Sequence, residues 1–303
     1  MKYSVVIPTY NHCEDLLKPC LESIFRYSDM TDIELVIVAN GCTDNTHEYL
    51  ESVSTQFEAI GFGDHFKYII SEQPLGYAQS TNWGIKSSTG QRIILLNNDT
   101  VLLNQERNYW INLLESPFLL NKRCGVSGPV KQHSPEAGHD FLVFFCVMVD
   151  RQVFDDIGLI NTEYGQGGGE DTEFCIEAER AGYLTLECVP KFAQEGNLHI
   201  GGFPIYHAGE KTVHDQALVP NYEEGFQRNQ LTLARKYNRE YYKHLLRNNF
   251  ERHVNFAGEP VPVREAARYK WAAKNLIGEK VLEIGCSTGY GTEFLPLSCE
   301  YTG

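Results

Sequence analysis

Short apolar runs recur through the first hundred residues, each too short for a helix. Residues 3–7 (YSVVI), closed by Pro8, form the first; 33–39 (IELVIVA), 66–70 (FKYII) and 92–96 (RIILL) follow. Between them apolar positions recur at three- and four-residue steps, as in Leu16, Leu17, Cys20, Leu21, Ile24 and Phe25, and again over 46–57 and 77–86. Period-2 and continuous β-branched runs separated by amphipathic helices predict an α/β fold, a mostly parallel sheet with helices on both faces. Right-handed crossovers then bring the C-terminal ends of the strands to one edge, where open α/β sheets bind ligands. The loops at that edge read Pro8-Thr9-Tyr10-Asn11, Asn40-Gly41-Cys42-Thr43-Asp44, Pro74-Leu75-Gly76-Tyr77 and Asn97-Asn98-Asp99-Thr100. Each alone also fits an ordinary turn, with Thr43 or Asp44 capping the next helix. Four on one edge point to a binding crevice.

The pattern loosens after residue 120. Residues 141–149 (FLVFFCVMV) predict one strand buried on both faces, and Arg151–Ile157 a short helix. Residues 165–169 (GQGGG) lack the means to hold regular structure unaided. Glu170-Asp171 then opens a helix marked by Phe174, Cys175, Ala178 and Ala181 and ended by Gly182. Residues 183–189 and 200–206 predict strands, and 222–246 a long helix with Phe226, Leu233, Tyr237, Tyr241 and Leu245 along one side. A boundary is expected at 256–263, followed by a helix over 264–276 and a strand–turn–helix over 280–295. The expected domains are 1–240, a helical end and linker at 241–263, and at 264–303 the opening of a second α/β domain within which the chain is expected to be cut off.

Composition narrows the function. Twenty-six basic and 40 acidic side chains give a formal charge of −14. That argues against a sequence-independent nucleic-acid binder; backbone dipoles and a metal still allow a small anionic ligand. The longest apolar run, 141–149, is far short of the roughly 20 residues of a membrane span. Met1-Lys2-Tyr3 leads straight into a strand, so no signal peptide is expected. Nine cysteines without a CxxC pair predict buried thiols in a reducing cytoplasm, with neither a disulfide framework nor a zinc site.

Five segments, SVVIPTYN, VIVANGCTD, GYAQSTNWGI, ILLNNDT and GGGEDTEFCIEAERAGY, occur in that order. Together, over about residues 3–237, they resemble the inverting glycosyltransferases of family 2, which have a Rossmann-like GT-A fold. The resemblance implies a nucleotide-sugar donor, a divalent cation (Mn²⁺ or Mg²⁺), and a glycan or lipid-linked acceptor in bacterial surface polysaccharide assembly. It implies Asp99 as a metal ligand on the diphosphate, where a hard cation stabilises the leaving group; Asn97 replaces the usual first acid. His207 is the implied second ligand, with His199 as its rival. Asp171 is implied as the base on the acceptor hydroxyl, with Glu170 orienting it or binding acceptor. A helix N-terminus would keep such a carboxylate ionised, a weak but adequate base; the alternative is a pair of acids that only stabilises the helix dipole. The glycines before the pair are expected to let the loop close over donor and exclude water.

Pro8, Thr9, Tyr10, Asn40 and Asn82, with Asn97 and Asn98, are the implied nucleotide-sugar contacts. The chain departs from the family at Ala39, where an acid is usual, and at Trp83, where many relatives have arginine. Tyr10 and Trp83 fit a core or turn role equally well. A second segment, VLEIGCSTGYG, resembles the first motif of S-adenosylmethionine (SAM)-dependent methyltransferases, with Ser287 in place of one glycine. The ribose-binding acid of that family is absent, so SAM is not expected to bind this tail. The expected location is the cytoplasm, compatible with peripheral association at the inner face of the membrane. A catalytically inert nucleotide-sugar or glycan-binding module is the competing reading. A dinucleotide-dependent oxidoreductase is excluded, because no GxGxxG follows the first strand.

Overall fold

The four apolar runs form the four strands expected of them: β1 (Tyr3–Thr9), β2 (Ile33–Asn40), β3 (Phe66–Ser71) and β4 (Arg92–Leu96). Helices α1 (Lys18–Tyr27), α2 (Thr46–Ala59) and α3 (Tyr77–Ser87) connect them. The computed structural model describes residues 1–189, 193–195, 198–200, 202–209, 222–243, 280–282 and 300–302. Beyond β4 come β5 (Thr100–Leu102), α4 (Tyr109–Leu120), β6 (Cys124–Gly128), β7 (Lys131–Ser134), β8 (His139–Leu142), β9 (Cys146–Asp150) and α5 (Arg151–Ile157). Then follow α6 (Glu170–Arg180), β10 (Leu184–Glu187), β11 (Ala193–Glu195), β12 (Leu198–Ile200), β13 (Ile205–His207), α7 (Tyr222–Tyr237), β14 (Lys280–Leu282) and β15 (Glu300–Thr302). Two compact units result: Met1–Ser134 with Gly138–Gln230, and Pro135–Ala137 with Leu231–Gly303.

The first unit is built on a seven-stranded sheet of order β10-β6-β9-β4-β1-β2-β3. β1 pairs in parallel with β2 and β4, and β2 with β3. β9 alone runs backwards, antiparallel to β4 and β6. All eight positions of β2 are buried, the mark of a strand covered on both faces. Side chains alternate accordingly. Val5 and Ile7 join Leu17, Leu21, Ile24, Leu50, Trp110 and Leu114 on one face. Val6, Val36, Ile93 and Leu95 join Ala78, Ile85, Phe154 and Phe174 on the other. β11, β12, β13 and β5 form a separate four-stranded sheet.

At the N-terminal ends of the strands, opposite the predicted crevice, sits the fully buried Glu34. Its carboxylate accepts hydrogen bonds from Ser4 Oγ (2.6 Å), Thr89 Oγ1 (2.9 Å) and the Thr89 and Gly90 amides, and pairs with Lys67 Nζ at 2.7 Å. Burial alone would push its pKa up; Lys67, Ser4 and Thr89 together reverse that and hold it at about 2.

Three expectations are corrected. Residues 141–149 are two strands, not one: β8 pairs with β7 as a hairpin, β9 joins the main sheet, and Phe144–Phe145 turn between them. The backbone leaves the strand there because its carbonyls serve neighbouring loops: Phe145 O accepts from Asn97 N (2.8 Å) and Phe144 O from the Tyr77 hydroxyl (3.1 Å). Residues 200–206 likewise fall into the ends of two antiparallel strands, β12 and β13. The long helix breaks at Asn238, whose Oδ1 accepts the Tyr241 N–H at 3.2 Å and starts a further turn. The linker at 256–263 and the helix at 264–276 lie outside the described residues. In the second unit β14 coincides with the predicted strand and pairs in parallel with β15, which the pattern had not marked. The seven cysteines among the described residues are free thiols. No helix among the described residues is long and apolar enough to cross a membrane.

Candidate active site

The loops at the C-terminal ends of β1 to β4 are stitched to one another by their own polar groups. Asn11, in the left-handed region at φ +54, accepts at Oδ1 from the Thr43 amide (2.7 Å) and the Asp44 amide (3.3 Å). Cys42 Sγ accepts from the Asn11 amide at 3.3 Å. Asp44 caps α2 through Thr46, and its other oxygen accepts the Cys13 amide (2.9 Å). Asn40 Oδ1 takes the Leu75 amide (2.6 Å), tying the second loop to the third, and Asn98 Nδ2 donates to Thr9 Oγ1 (2.9 Å), tying the fourth to the first. Thr9, Asn40 and Asn98 therefore frame the edge. Pro8 is half-buried in β1 opposite Val38, and Tyr10 beside it is half-buried. Ala39 is fully buried in the core, and Trp83 is half-buried on α3.

Asn82 departs from its expected role. Its Nδ2 donates to Ile160 O (2.7 Å) and its Oδ1 accepts from Ile160 N (3.1 Å) inside the protein. Both ends of the amide are engaged by one backbone residue, so Asn82 pins the segment ahead of the glycine run instead of offering hydrogen bonds to a donor.

Asp99 is brought to His207 by strand pairing. β5 runs antiparallel to β13 with Thr100 opposite His207, and the Ala208 amide donates to Asp99 O at 3.0 Å. His207 Nε2 consequently lies 3.2 Å from Asp99 Oδ1. The contact is off hydrogen-bond geometry: Asp99 Oδ1 is buried without a hydrogen bond, and so is Asn97 Oδ1 two residues earlier. The His207 ring is fixed flat on Phe145, centroids 4.4 Å apart and planes within 9°. A buried carboxylate oxygen, with an imidazole nitrogen beside it and an orphaned amide oxygen two residues away, is a donor set that fits a divalent cation. Among the described residues no group of three or more His, Cys, Asp or Glu side chains gathers as a metal site, and the described residues offer two such ligands here, Asp99 and His207. His199 lies on β12, and its side chain is outside the described part.

Glu170 and Asp171 begin α6. Glu170 is 7 % exposed, and its Oε2 has no hydrogen bond. Asp171 Oδ1 accepts from the Thr172 amide (2.7 Å) and more distantly from its hydroxyl (3.4 Å). Burial pushes both carboxyls up, and the charge of Asp171 pushes Glu170 further; the backbone N–H groups of the helix start pull the other way and lose. Desolvation outweighs the dipole, so both carboxyls are more basic than a surface acid.

Tyr77 ties the two ends together. Burial raises the pKa of its phenol, and the charges of Glu170, Asp171 and Asp99 raise it further, so all three acids lie within electrostatic reach of one side chain. The Phe144–Phe145 turn runs between them. Phe144 receives the Tyr77 hydroxyl at its carbonyl and presents its N–H to Asp171; Phe145 holds Asn97 and stacks on His207. Sequence reasoning placed Asn11 and Tyr77 in the edge loops without assigning them a role, and missed Phe144 and Phe145, which carry no local signal within an apolar run.

Residues 4–117 match the family model described as Glycosyl transferase family 2. The chain is 27 % identical over 135 residues to a poly(ribitol-phosphate) beta-glucosyltransferase of Bacillus spizizenii, covering 42 % of this chain and 20 % of that protein. It is 30 % identical over 97 residues to Glycosyltransferase AglE of Haloferax volcanii, covering 32 % of this chain and 30 % of that protein. The chain thus spans less than a third of the length of these curated relatives. The crystal structure of GalNAc-T7 with UDP, GalNAc and Mn²⁺ is similar with a TM-score of 0.51 at 15 % identity, covering 62 % of this chain and 42 % of that one, a likeness of fold. The seven-stranded mixed sheet is thus of the GT-A glycosyltransferase type, and residues 4–117, which hold β1 to β5 and the four stitched loops, match Glycosyl transferase family 2.

Proposed function

We propose that the chain transfers a sugar from a nucleotide-sugar to a glycan or lipid-linked acceptor, inverting the anomeric centre, in bacterial surface polysaccharide assembly on the cytoplasmic side of the membrane. The observation that carries this reading is the meeting of two acid sets, Asp99 with His207 and Glu170 with Asp171, on either side of the Phe144–Phe145 turn at one sheet edge. Asp99 and His207 would hold the divalent cation, Mn²⁺ or Mg²⁺, with Asn97 beside them. When bound, that ion neutralises charge building on the departing diphosphate. Asp171 takes the proton of the acceptor hydroxyl as that oxygen attacks, and its raised pKa suits a base working near neutrality. Glu170, raised by burial and by the charge of Asp171 beside it, orients the acceptor. Pro8, Thr9, Tyr10, Asn40 and Asn98 line the donor side. Residues 264–303 are proposed as a methyltransferase-like segment that does not bind SAM by itself.

The relatives support sugar transfer through what their names state: one is a beta-glucosyltransferase, and GalNAc-T7 was crystallised with UDP and Mn²⁺. The inert-module reading draws on two departures, Ala39 and Asn97, each standing where an acid is usual. A panel of UDP-, GDP- and dTDP-sugars with Mn²⁺, followed by thermal shift and by release of nucleoside diphosphate, separates the two. Stabilisation with metal-dependent release is the expected result. Stabilisation without release under any acceptor would make this a binding module, and no response to any donor would overturn both.

A further inference from the structure

The glycine run ahead of the acid pair is tied down from three sides. Asn161 Nδ2 donates to Glu173 Oε1 (2.8 Å), and the Tyr164 hydroxyl donates to the other oxygen of the same carboxylate. Gly76, at φ +79, backs onto Gly165 so closely that a Cβ would run into its carbonyl. The third side is the first half of α7. Asn229 is 4 % exposed, and its Nδ2 donates to both Tyr164 O and Gly167 O at 2.8 Å. Gln230 Nε2 reaches Gly168 O at 3.5 Å. The Phe226 ring covers Gly168, where a Cβ would come within 2.5 Å of it.

These contacts fall on particular peptide units. The carbonyl of Gly167 and the N–H of Gly168 belong to one planar amide, and the carbonyl of Gly168 and the N–H of Gly169 to the next. Three N–H groups face the Glu170 carboxyl, its own and those of Gly168 and Gly169, and the two glycine N–H groups belong to these amides. A donor on the oxygen side of an amide fixes its plane and polarises its N–H. Asn229 therefore acts on Glu170 through one intervening peptide.

We propose that Asn229 is a positioning residue for sugar transfer: it clamps the 164–168 carbonyls so that the peptides behind them hold Glu170, and with it Asp171, in the reacting position. The inference rests on the assignment of Glu170–Asp171 as the acceptor-side pair. The loop is then set before donor arrives, not closed by it, and the residue that sets it lies some sixty positions downstream on a different helix.

Asn229→Leu keeps the branched shape of the side chain and removes both N–H donors. Hydrogen–deuterium exchange of the protein alone should rise at residues 164–170 and stay unchanged in β1, β2 and α3. With the donor chosen by the panel, kcat should fall about 10- to 100-fold while donor KM stays within about twofold, the split expected when a reacting group is displaced without loss of binding. Unchanged exchange at 164–170, or an unchanged kcat in a folded variant whose Tm alone has dropped, overturns the proposal. Phe226→Ala loosens Gly168 without opening the buried amide cluster and is read the same way should Asn229→Leu not fold. Asp171→Asn is the control: if it still transfers sugar, the acid-pair assignment fails; if it is inactive while both α7 variants behave as wild type, the clamp alone fails.

Discussion

At the scale of single residues, two carboxylates carry the chemistry proposed for this protein, and their environments assign them different jobs. Asp171 is raised by burial, so the rate of transfer should climb with pH along a limb well above the ordinary carboxylate range of about 4. The sign follows from the role: a base works deprotonated, and a raised pKa means that activity is lost on acidification sooner than with a surface acid. Asp171→Asn should lower kcat by at least about 10²-fold and leave donor affinity nearly intact. Asp99→Asn should weaken donor binding and its dependence on Mn²⁺ together, which calorimetric titration of nucleoside diphosphate with and without the metal would detect. An Asp171→Asn variant with full kcat would remove it from the mechanism. Asp99 and Asp171, the residues proposed for cation and base, each follow a strong local break in the sequence, an apolar strand in one case and a glycine run in the other. Asn82 was misread because a sequence records that an amide is present, not which backbone will engage it; Ile160, 78 residues away, decides that.

Among elements, the sheet edge depends on close approaches that small residues permit. Gly76 combines φ +79 with direct contact on the Gly165 carbonyl. Gly76→Ala should cost about 1–3 kcal/mol, measured by denaturant unfolding, and should lower transfer by pushing the acid-bearing loop away from α3. A variant of wild-type stability would show that the two loops part without penalty. β1 to β4 were readable because each is a buried run closed by a turn signal. The 141–149 run was not, since a segment apolar at every position has no period to interrupt, and its turn is imposed by Asn97 and Tyr77 from elsewhere in the chain. The meeting of β5 with β13, which carries His207 to Asp99, was equally silent: antiparallel pairing across about a hundred residues leaves no local mark.

For the molecule as a whole, stability and chemistry sit at opposite ends of the same strands. Glu34 anchors the N-terminal ends of the sheet with a pKa held at about 2, well below its unfolded value. Its contribution is therefore complete above pH 5 and fades as pH falls toward 2. Glu34→Gln should destabilise the fold by about 1–3 kcal/mol near neutrality. The gap to wild type should narrow in acid, and unfolding midpoints measured across that range would reveal it; a pH-independent gap would mean that the charge contributes nothing. The general α/β architecture was legible from periodicity alone, whereas the division into two units at Gln230, inside α7, was not, because nothing in the helix pattern changes there.

The reversed direction of β9 has one more consequence. A strand running against its neighbours delivers its beginning, not its end, to the edge where the others finish, and so inserts a later stretch of chain into a platform made by the first hundred residues. In the proposed reaction, the donor-side loops and the acid pair are thereby encoded in separate portions of the polypeptide. A fragment ending at residue 117 would keep the donor-side loops but have neither Asp171 nor His207, so the proposed reaction becomes possible only after the backward strand has slotted home.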